Sequence, residues 1–162
     1  NEIISKNENL KCYIAKDNSI GQVVVSGNIN DLNIFSSELK NNKIKNIKLP
    51  VSAPFHCELM RSATEKMKKE ISKVEFKKPE INIMSNVTAK KTNDPEEIKT
   101  LLIDQIEKPV RWREIVINMI DANVEKFIEI GPGKVLSGLV KRINKDVKLI
   151  QINDLEDLNN LV

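Results

Sequence analysis

The feature that most constrains the fold is the alternation of apolar runs and helical patterns near the end of the chain. Lys126–Ile130 is a short apolar run, a Gly-Pro-Gly turn follows at residues 131–133, and a stripe at helical spacing begins at Val135. A second apolar run occupies residues 147–152. A strand, a crossover helix and another strand form a unit whose strands pair in parallel. The pattern therefore predicts an α/β fold built on a parallel sheet.

The middle of the chain continues this alternation. Apolar residues at helical spacing predict a long amphipathic helix over residues 55–74, and residues 81–87 have the pattern of a strand. Asp94, followed by proline and two acids, is a strong helix start, because aspartate caps a helix and acids favour its positive end. That helix ends before Pro109, and another is predicted over residues 112–120.

The first 50 residues are organised differently. Their opening stretch, residues 1–11, is polar and predicts a frayed end. The predicted elements that follow are strands at residues 12–15 and 22–26, a helix capped by Asn30 or Asp31 and ending at Asn41 and Asn42, and a strand at residues 44–49. This order matches the last part of a ferredoxin-like unit, whose first strand and most of whose first helix would precede the chain.

Composition excludes several classes of protein. The chain has 162 residues, 40% of them hydrophobic, yet no apolar run approaches the ~20 residues that cross a bilayer. Aromatic residues make up only 4%, which leaves no stacking platform for nucleic acid, and the net charge of +3 would suit an acidic partner. The chain does not begin with Met and shows no leader signature, so we expect a fragment or a processed form.

The two cysteines, Cys12 and Cys57, are too few for a disulfide scaffold and indicate a reduced compartment. We expect both to be small buried fillers. Cys57 lies beside His56, but adjacent residues on a helix point about 100° apart, which argues against a catalytic dyad. One histidine and no closely spaced carboxylate pair give metal ligation no support.

His56 is the only histidine and lies where a strand is predicted to turn into the long helix. The positive end of a helix opposes a second proton on the imidazole, and a neutral histidine is what a general base requires. A histidine that simply satisfies a local hydrogen bond at a helix start fits the same pattern. The residues alone leave these two interpretations open.

Two other motifs have simple structural explanations. The turn that ends in Lys134 superficially resembles a phosphate-binding loop, but it lacks the Gly-x-x-x-x-Gly-Lys-Ser/Thr spacing, so we interpret it as a strand-to-helix turn. Several lysines of the predicted long helix form a solvated face or, alternatively, a docking patch. They are Lys66, Lys68, Lys69 and Lys73.

Four segments, in the same order and at the same spacing, resemble the malonyl-CoA:acyl carrier protein transacylase family. They are residues 18–27, 50–60, 105–112 and 129–143. The resemblance implies a ping-pong reaction in which a serine takes malonyl from coenzyme A and passes it to the phosphopantetheine thiol of acyl carrier protein. It also implies that residues 1–50 belong to a ferredoxin-like small subdomain and residues 51–162 to an α/β-hydrolase-like large subdomain.

The resemblance assigns roles to four residues. It implies that His56 is the general base and that the main-chain carbonyl of Gln105 orients it in place of an aspartate. Phe55 corresponds to the bulky residue of malonyl-selective members, and a role as a core anchor of the helix start is compatible with that. Asn18 corresponds to an asparagine lining the acyl pocket, although a turn between strands would explain it equally, and Lys16 replaces a second asparagine found in many members.

The main departure from the family is that Gly-x-Ser-x-Gly occurs nowhere in the chain. The nucleophilic serine, the oxyanion glutamine and the arginine that binds the malonyl carboxylate belong to the family's N-terminal part. The chain therefore resembles the C-terminal half of the enzyme, and we expect it to be inactive alone. Two alternatives are a noncatalytic module that docks acyl carrier protein and an acyltransferase with another acyl-CoA preference.

The resemblance further implies the surroundings in which the chain works. The expected partners are acyl carrier protein, a coenzyme A thioester and the N-terminal half, without a cofactor, nucleic acid or membrane. The complete enzyme is expected to be a soluble monomer of type II fatty acid synthesis. Its expected compartment is the cytoplasm or the matrix of a plastid- or apicoplast-type organelle.

Overall fold

The computed structural model describes residues 2–5 and 9–160. The helices are α1 Glu2–Ser5, α2 Ile29–Asn41, α3 Arg61–Ile71, α4 Pro95–Asp104, α5 Trp112–Asp121, α6 Val135–Ile143 and α7 Leu155–Asn159, with a 3-10 helix at Glu58–Met60. The strands are β1 Cys12–Ser19, β2 Gln22–Gly27, β3 Ile83–Met84, β4 Lys91–Thr92, β5 Lys126–Ile130 and β6 Lys148–Ile152.

The predicted parallel unit is present as β5, α6 and β6. The two strands pair in parallel and in register from Lys126 opposite Lys148 to Ile130 opposite Ile152. The helix between them buries Leu139 and Val140. The α/β prediction is therefore confirmed, with this sheet containing two strands in the part of the chain that the structure describes.

The two strands predicted near the start of the chain are present as β1 and β2, and they pair as an antiparallel hairpin. Gly21 lies in its turn with φ of 75°, a left-handed conformation that glycine adopts without steric cost. The cap of α2 is Asn28, whose side chain accepts a hydrogen bond from the backbone N–H of Asn30 at 2.9 Å. The predicted cap at Asn30 or Asp31 is wrong because the helix begins earlier, whereas its end at Asn41 is confirmed.

Three predicted elements differ from the structure. Residues 44–49 form no strand, and the predicted strand at 81–87 reduces to β3, which pairs antiparallel with β4. An apolar run becomes a strand only where a second backbone pairs with it, and the run itself does not specify that partner. The long helix predicted over 55–74 reduces to the 3-10 turn and α3, because the backbone at residues 56 and 57 is not helical.

The helix predictions after residue 90 agree more closely with the structure. Asp94 caps α4 by accepting the backbone N–H of Glu97 at 2.7 Å, as its capping sequence predicts. The first helix, α1, lies within the stretch predicted to be frayed, while Asn1 and residues 6–8 of that stretch are outside the described residues. The last helix, α7, was not predicted.

The hairpin is joined to the segment between α4 and α5. The backbone N–H of Asp17 donates to the carbonyl of Val110 at 2.9 Å, and the N–H of Val110 donates to the carbonyl of Ala15 at 2.8 Å. The Asp17 carboxylate also accepts hydrogen bonds from Nε and Nη2 of Arg113. These contacts connect the two predicted subdomains, whose division after residue 50 stays a prediction.

The core gathers side chains from both parts of the chain. Its buried apolar members are Cys12, Ala15, Phe35, Cys57, Ala89, Ile98, Ile115, Val116, Leu139, Val140 and Ile152. No helix among the described residues is long and apolar enough to cross a membrane.

Candidate active site

His56 lies in a loop immediately before the 3-10 helix, with a backbone φ of 62°. Residues other than glycine seldom adopt this left-handed conformation, although histidine is enriched among those that do. Such a conformation costs roughly 1–3 kcal/mol and is found preferentially at functional sites. The predicted position between a strand and the long helix is wrong, because residues 44–49 form no strand and His56 lies in a loop before the 3-10 helix that begins at Glu58.

The main-chain carbonyl of Gln105 lies 2.9 Å from Nδ1 of His56. A carbonyl oxygen only accepts hydrogen bonds, so in the neutral imidazole Nδ1 carries the proton and Nε2 has the lone pair. Gln105 is the residue that ends α4, where carbonyls have no intrahelical donor and are available to other groups. The arrangement leaves Nε2 able to take a proton, which is the requirement for a general base.

The β1–β2 hairpin holds the loop from its other side. The hydroxyl of Ser26 donates to the carbonyl of Phe55 at 2.7 Å, and the hydroxyl of Tyr13 donates to the carboxylate of Glu58. The hydrogen bond with Glu58, with smaller contributions from burial and the charge of Glu58, raises the pKa of Tyr13 to about 12. The phenol therefore stays a donor at neutral pH. We did not predict these contacts because both residues have the pattern of ordinary strand residues.

Cys57 is buried next to the histidine, with 2% of its surface exposed. Burial is the main cause that raises the pKa of its thiol, and the thiol donates to the carbonyl of Pro54 at 3.1 Å. A thiol that stays protonated is a poor nucleophile. The expectation of small buried fillers is confirmed for Cys57 and for Cys12, which is 6% exposed.

Neither of the other two candidate side chains takes part in the hydrogen bond between His56 and Gln105. Phe55 is 45% exposed, so it is not a core anchor of a helix start. Asn18 lies within β1 at an irregularity in the pairing and not in the turn between the strands. No hydrogen bond joins Asn18 to His56 or Gln105 among the described residues.

A carboxylate occupies the helix end that follows the Gly-Pro-Gly turn. Glu129 accepts the backbone N–H groups of Leu136 and Ser137 at 3.0 and 2.7 Å. Burial raises the pKa of Glu129, but hydrogen bonds from Ser137, Leu136 and Val135 outweigh it and give a net lowering. The interpretation of this segment as a strand-to-helix turn is confirmed, because its N–H groups already have an anionic partner.

The other candidates from the sequence are surface lysines and metal-binding groups. The lysines of the predicted solvated face are exposed on and just after α3, and Lys73 pairs with Glu70 at 2.8 Å. Within residues 2–5 and 9–160, no group of three His, Cys, Asp or Glu side chains could hold a metal ion.

The amino-acid sequence of the chain is similar to those of known acyltransferases. A family model described as the acyl transferase domain matches residues 4–155. The chain is 42% identical over 146 residues to the malonyl CoA-acyl carrier protein transacylase of Bacillus subtilis, covering 90% of this chain and 46% of the relative. The chain thus spans about half the length of the curated relatives it matches.

Solved structures agree with the sequence comparison. The malonyl CoA-acyl carrier protein transacylase of Clostridium perfringens superimposes with a TM-score of 0.92 at 40% identity, covering 99% of this chain and 51% of that one. A malonyl-transacylase in complex with the acyl-carrier protein of a type II PKS gives a TM-score of 0.91 at 32% identity, covering 99% and 54%. The family model spans most of this chain, and the chain therefore belongs to the acyl transferase domain family.

Proposed function

We propose that the chain supplies the general base of a malonyl-CoA:acyl carrier protein transacylase whose nucleophilic serine lies on an N-terminal part outside this chain. The observation that carries the proposal is the 2.9 Å approach of the Gln105 carbonyl to Nδ1 of His56. In the neutral imidazole this bond places the proton on Nδ1 and leaves the lone pair of Nε2 available to accept a proton. The similarity to transacylases over 90% of the chain supports the reaction class.

In the first half of the reaction, Nε2 of His56 takes the proton of the serine hydroxyl as the oxygen attacks the thioester carbonyl of malonyl-CoA. The tetrahedral intermediate then breaks its carbon–sulfur bond. The departing coenzyme A thiolate receives the proton from Nε2, and malonyl remains on the serine as an ester. In the second half the phosphopantetheine thiol loses its proton to Nε2, attacks that ester and releases the serine, which recovers the proton.

The proposed acyl preference involves the two other candidate residues. Phe55 directly precedes His56, and its ring is half-exposed. We propose that the ring limits the space beside the transferred acyl group. Asn18 is proposed to line the same pocket. The reaction as proposed needs no cofactor besides its two thioester substrates, and a matrix containing acyl carrier protein, cytoplasmic or plastid-like, is its proposed compartment.

An uncovered apolar surface supports the proposed N-terminal partner. An open cavity of about 300 Å³ is lined by Trp112, Phe127, Ile128 and Leu136, among others. Parallel sheets are normally covered on both faces. An additional layer of protein on this surface would cover the exposed side chains of Ile128 and Leu136.

The proposal is tested by purifying the chain together with an N-terminal acyltransferase segment that carries a Gly-x-Ser-x-Gly elbow. Intact-protein mass spectrometry is recorded before and after addition of malonyl-CoA. We expect the N-terminal piece to gain one malonyl group and to lose it to phosphopantetheinylated acyl carrier protein. His56→Ala should slow acylation about 10²–10⁴-fold, the contribution of a positioned general base. The chain alone should gain no mass.

The same assay distinguishes the alternatives. Stable acylation of the chain alone would contradict the proposal. Salt-sensitive binding of acyl carrier protein that is unchanged by His56→Ala, with no acylation of the paired pieces, would instead identify a docking module. Transfer of methylmalonyl at the rate of malonyl would indicate another acyl preference, and Phe55→Ser is the variant expected to relax that preference.

A further inference from the structure

The carbonyl that orients His56 belongs to the C-cap residue of α4, and helix ends are less firmly held than helix interiors. The last turn of a helix frays, and the direction of its final carbonyl changes with the backbone of that residue. Within α4, the N–H of Gln105 is held by the carbonyl of Leu101 at 3.0 Å. Fraying of this turn would move the acceptor away from Nδ1.

A side-chain contact restrains this helix end from outside the helix. The amide Nδ2 of Asn86 donates to Oε1 of Gln105 at 3.0 Å, and both residues are partly buried. Gln105 therefore has two functions on two sets of atoms, because its carbonyl receives His56 while its side chain is attached to the turn between β3 and β4.

Asn86 is itself held firmly by the start of α5. The backbone N–H of Arg111 donates to the carbonyl of Asn86 at 3.1 Å. Its guanidinium donates to the carbonyls of Val87 and Thr88, each at 3.2 Å, and is paired with Glu114 at 2.6 Å. The turn is thus fixed against α5, so the Asn86 amide is a stable point of attachment.

We propose that Asn86 is a positioning residue that keeps the Gln105 carbonyl on Nδ1 of His56 and thereby selects the tautomer needed for proton transfer. The proposal rests on the proposed role of His56 as general base. It adds a residue that contacts neither substrate nor imidazole and acts through the side chain of Gln105. Its substitution should change the state of the ring in the resting protein, before any substrate binds.

The single histidine makes a direct test possible. Ring 15N shifts of the protein, recorded at about pH 9 where imidazole is neutral, report which nitrogen carries the proton. We expect the Nδ1–H form in the wild type and a several-fold increase of the Nε2–H form in Asn86→Ala. Gln105→Ala removes the same bond from its other end while keeping the carbonyl, and should give the same change.

Two comparisons separate positioning from general destabilisation. The double variant should show no larger tautomer change than either single variant, because all three lose one bond. Asn118→Ala is the matched control: the Asn118 amide donates to the carbonyl of Ala89 in the same turn at 2.8 Å without contacting Gln105. It should lower stability while leaving the tautomer unchanged.

The outcomes also distinguish this proposal from the proposed function. In the enzyme assembled with its N-terminal segment, Asn86→Ala should lower kcat roughly tenfold, with little change in KM, because the base is misoriented while substrate contacts remain. A wild-type tautomer in both single variants, or an equal change in Asn118→Ala, would overturn the role of Asn86. A changed tautomer in an assembly without acyl transfer would support Asn86 as a positioning residue and contradict only the proposed function.

Discussion

At the scale of single residues, the site depends on the unusual backbone of His56. Its φ of 62° turns the side chain toward Gln105, and contacts from Ser26 to the Phe55 carbonyl and from Tyr13 to Glu58 hold the loop in that conformation. A strained residue persists only where its surroundings determine it. The hairpin therefore helps to maintain the conformation of the loop that carries the proposed general base.

This strain predicts that His56→Gly is more stable than His56→Ala, the reverse of the usual order for these two residues. Both His56→Ala and His56→Gly lose the hydrogen bond to Gln105, but only alanine must still adopt the left-handed conformation. Glycine avoids its cost of about 1–2 kcal/mol and loses part of that gain through a more flexible unfolded chain. We expect His56→Gly to be more stable than His56→Ala by roughly 0.5–1 kcal/mol in urea unfolding. Equal stability or the reverse order would contradict strain at this position.

The residues of the site differ in how far sequence could reveal them. His56 could be identified because it is the only histidine, and Gln105 because it lies in a segment, residues 105–112, that resembles the family. Ser26 and Asn86 carry no such signal, because each lies in a run with the pattern of a strand and acts through a neighbour's main chain or side chain. Supporting contacts of this kind depend on tertiary placement, which a one-dimensional pattern does not contain.

At the scale of elements, capping and turn residues predicted the helix starts that nearby residues determine. The cap at Asp94 and the turn before α6 determine where α4 and α6 begin, and both helices follow their periodic stripes. The predicted helix over residues 55–74 failed because its stripe extends across a left-handed residue that periodicity cannot detect. Phe55, which fits that stripe, is 45% exposed.

The cap formed by Glu129 predicts a pH-dependent contribution of α6 to stability. The carboxylate is stabilised in its charged form by the N–H groups it accepts, so the pKa of Glu129 is lower in the folded than in the unfolded chain. A lowered folded pKa stabilises the protein above the unfolded value and ceases to do so as pH falls through the folded one. Glu129→Gln should therefore cost about 1 kcal/mol at neutral pH, as for a lost helix cap.

The measurement is urea unfolding of the wild type and Glu129→Gln as a function of pH. The difference in free energy of unfolding should shrink as the pH falls below 4.5, the ordinary value for this group. Glu125→Gln, which alters an exposed carboxylate just before the same strand, is the matched control and should show no such trend. A difference that persists unchanged into acid would mean that the charge of Glu129 does not cap α6.

At the scale of the whole molecule, the site is assembled from distant parts of the chain. The hairpin approaches the segment before α5 through Asp17 and Val110 and supports the histidine loop through Ser26. The C-terminal end of α4, whose Gln105 carbonyl contacts His56, is a third part of the chain at this site. This explains why the predicted subdomains cannot be understood as independent units: the first positions a loop of the second.

The exposed apolar side chains of the parallel unit predict how the chain behaves without an N-terminal partner. Ile130 and Val135 are 78% and 73% exposed at adjoining ends of β5 and α6, and Ile128 is 43% exposed on the same strand. Ile128 and Ile130 lie on the same face of β5, because alternate residues of a strand point to the same side, and exposed apolar surface is typical of an interaction site. The chain alone should bind the dye ANS and self-associate with increasing concentration in sedimentation velocity. An N-terminal acyltransferase segment should suppress both effects.

A pair of substitutions locates the surface responsible. Ile130→Ser removes an exposed apolar group of β5 and should reduce both ANS fluorescence and self-association. Ile20→Ser removes an equally exposed isoleucine, 77% exposed, in the turn between β1 and β2 and should change neither, because Ile20 belongs to neither β5 nor α6. Equal effects of the two substitutions, or a chain that remains monomeric and binds no dye, would show that the β5–α6 surface needs no covering partner.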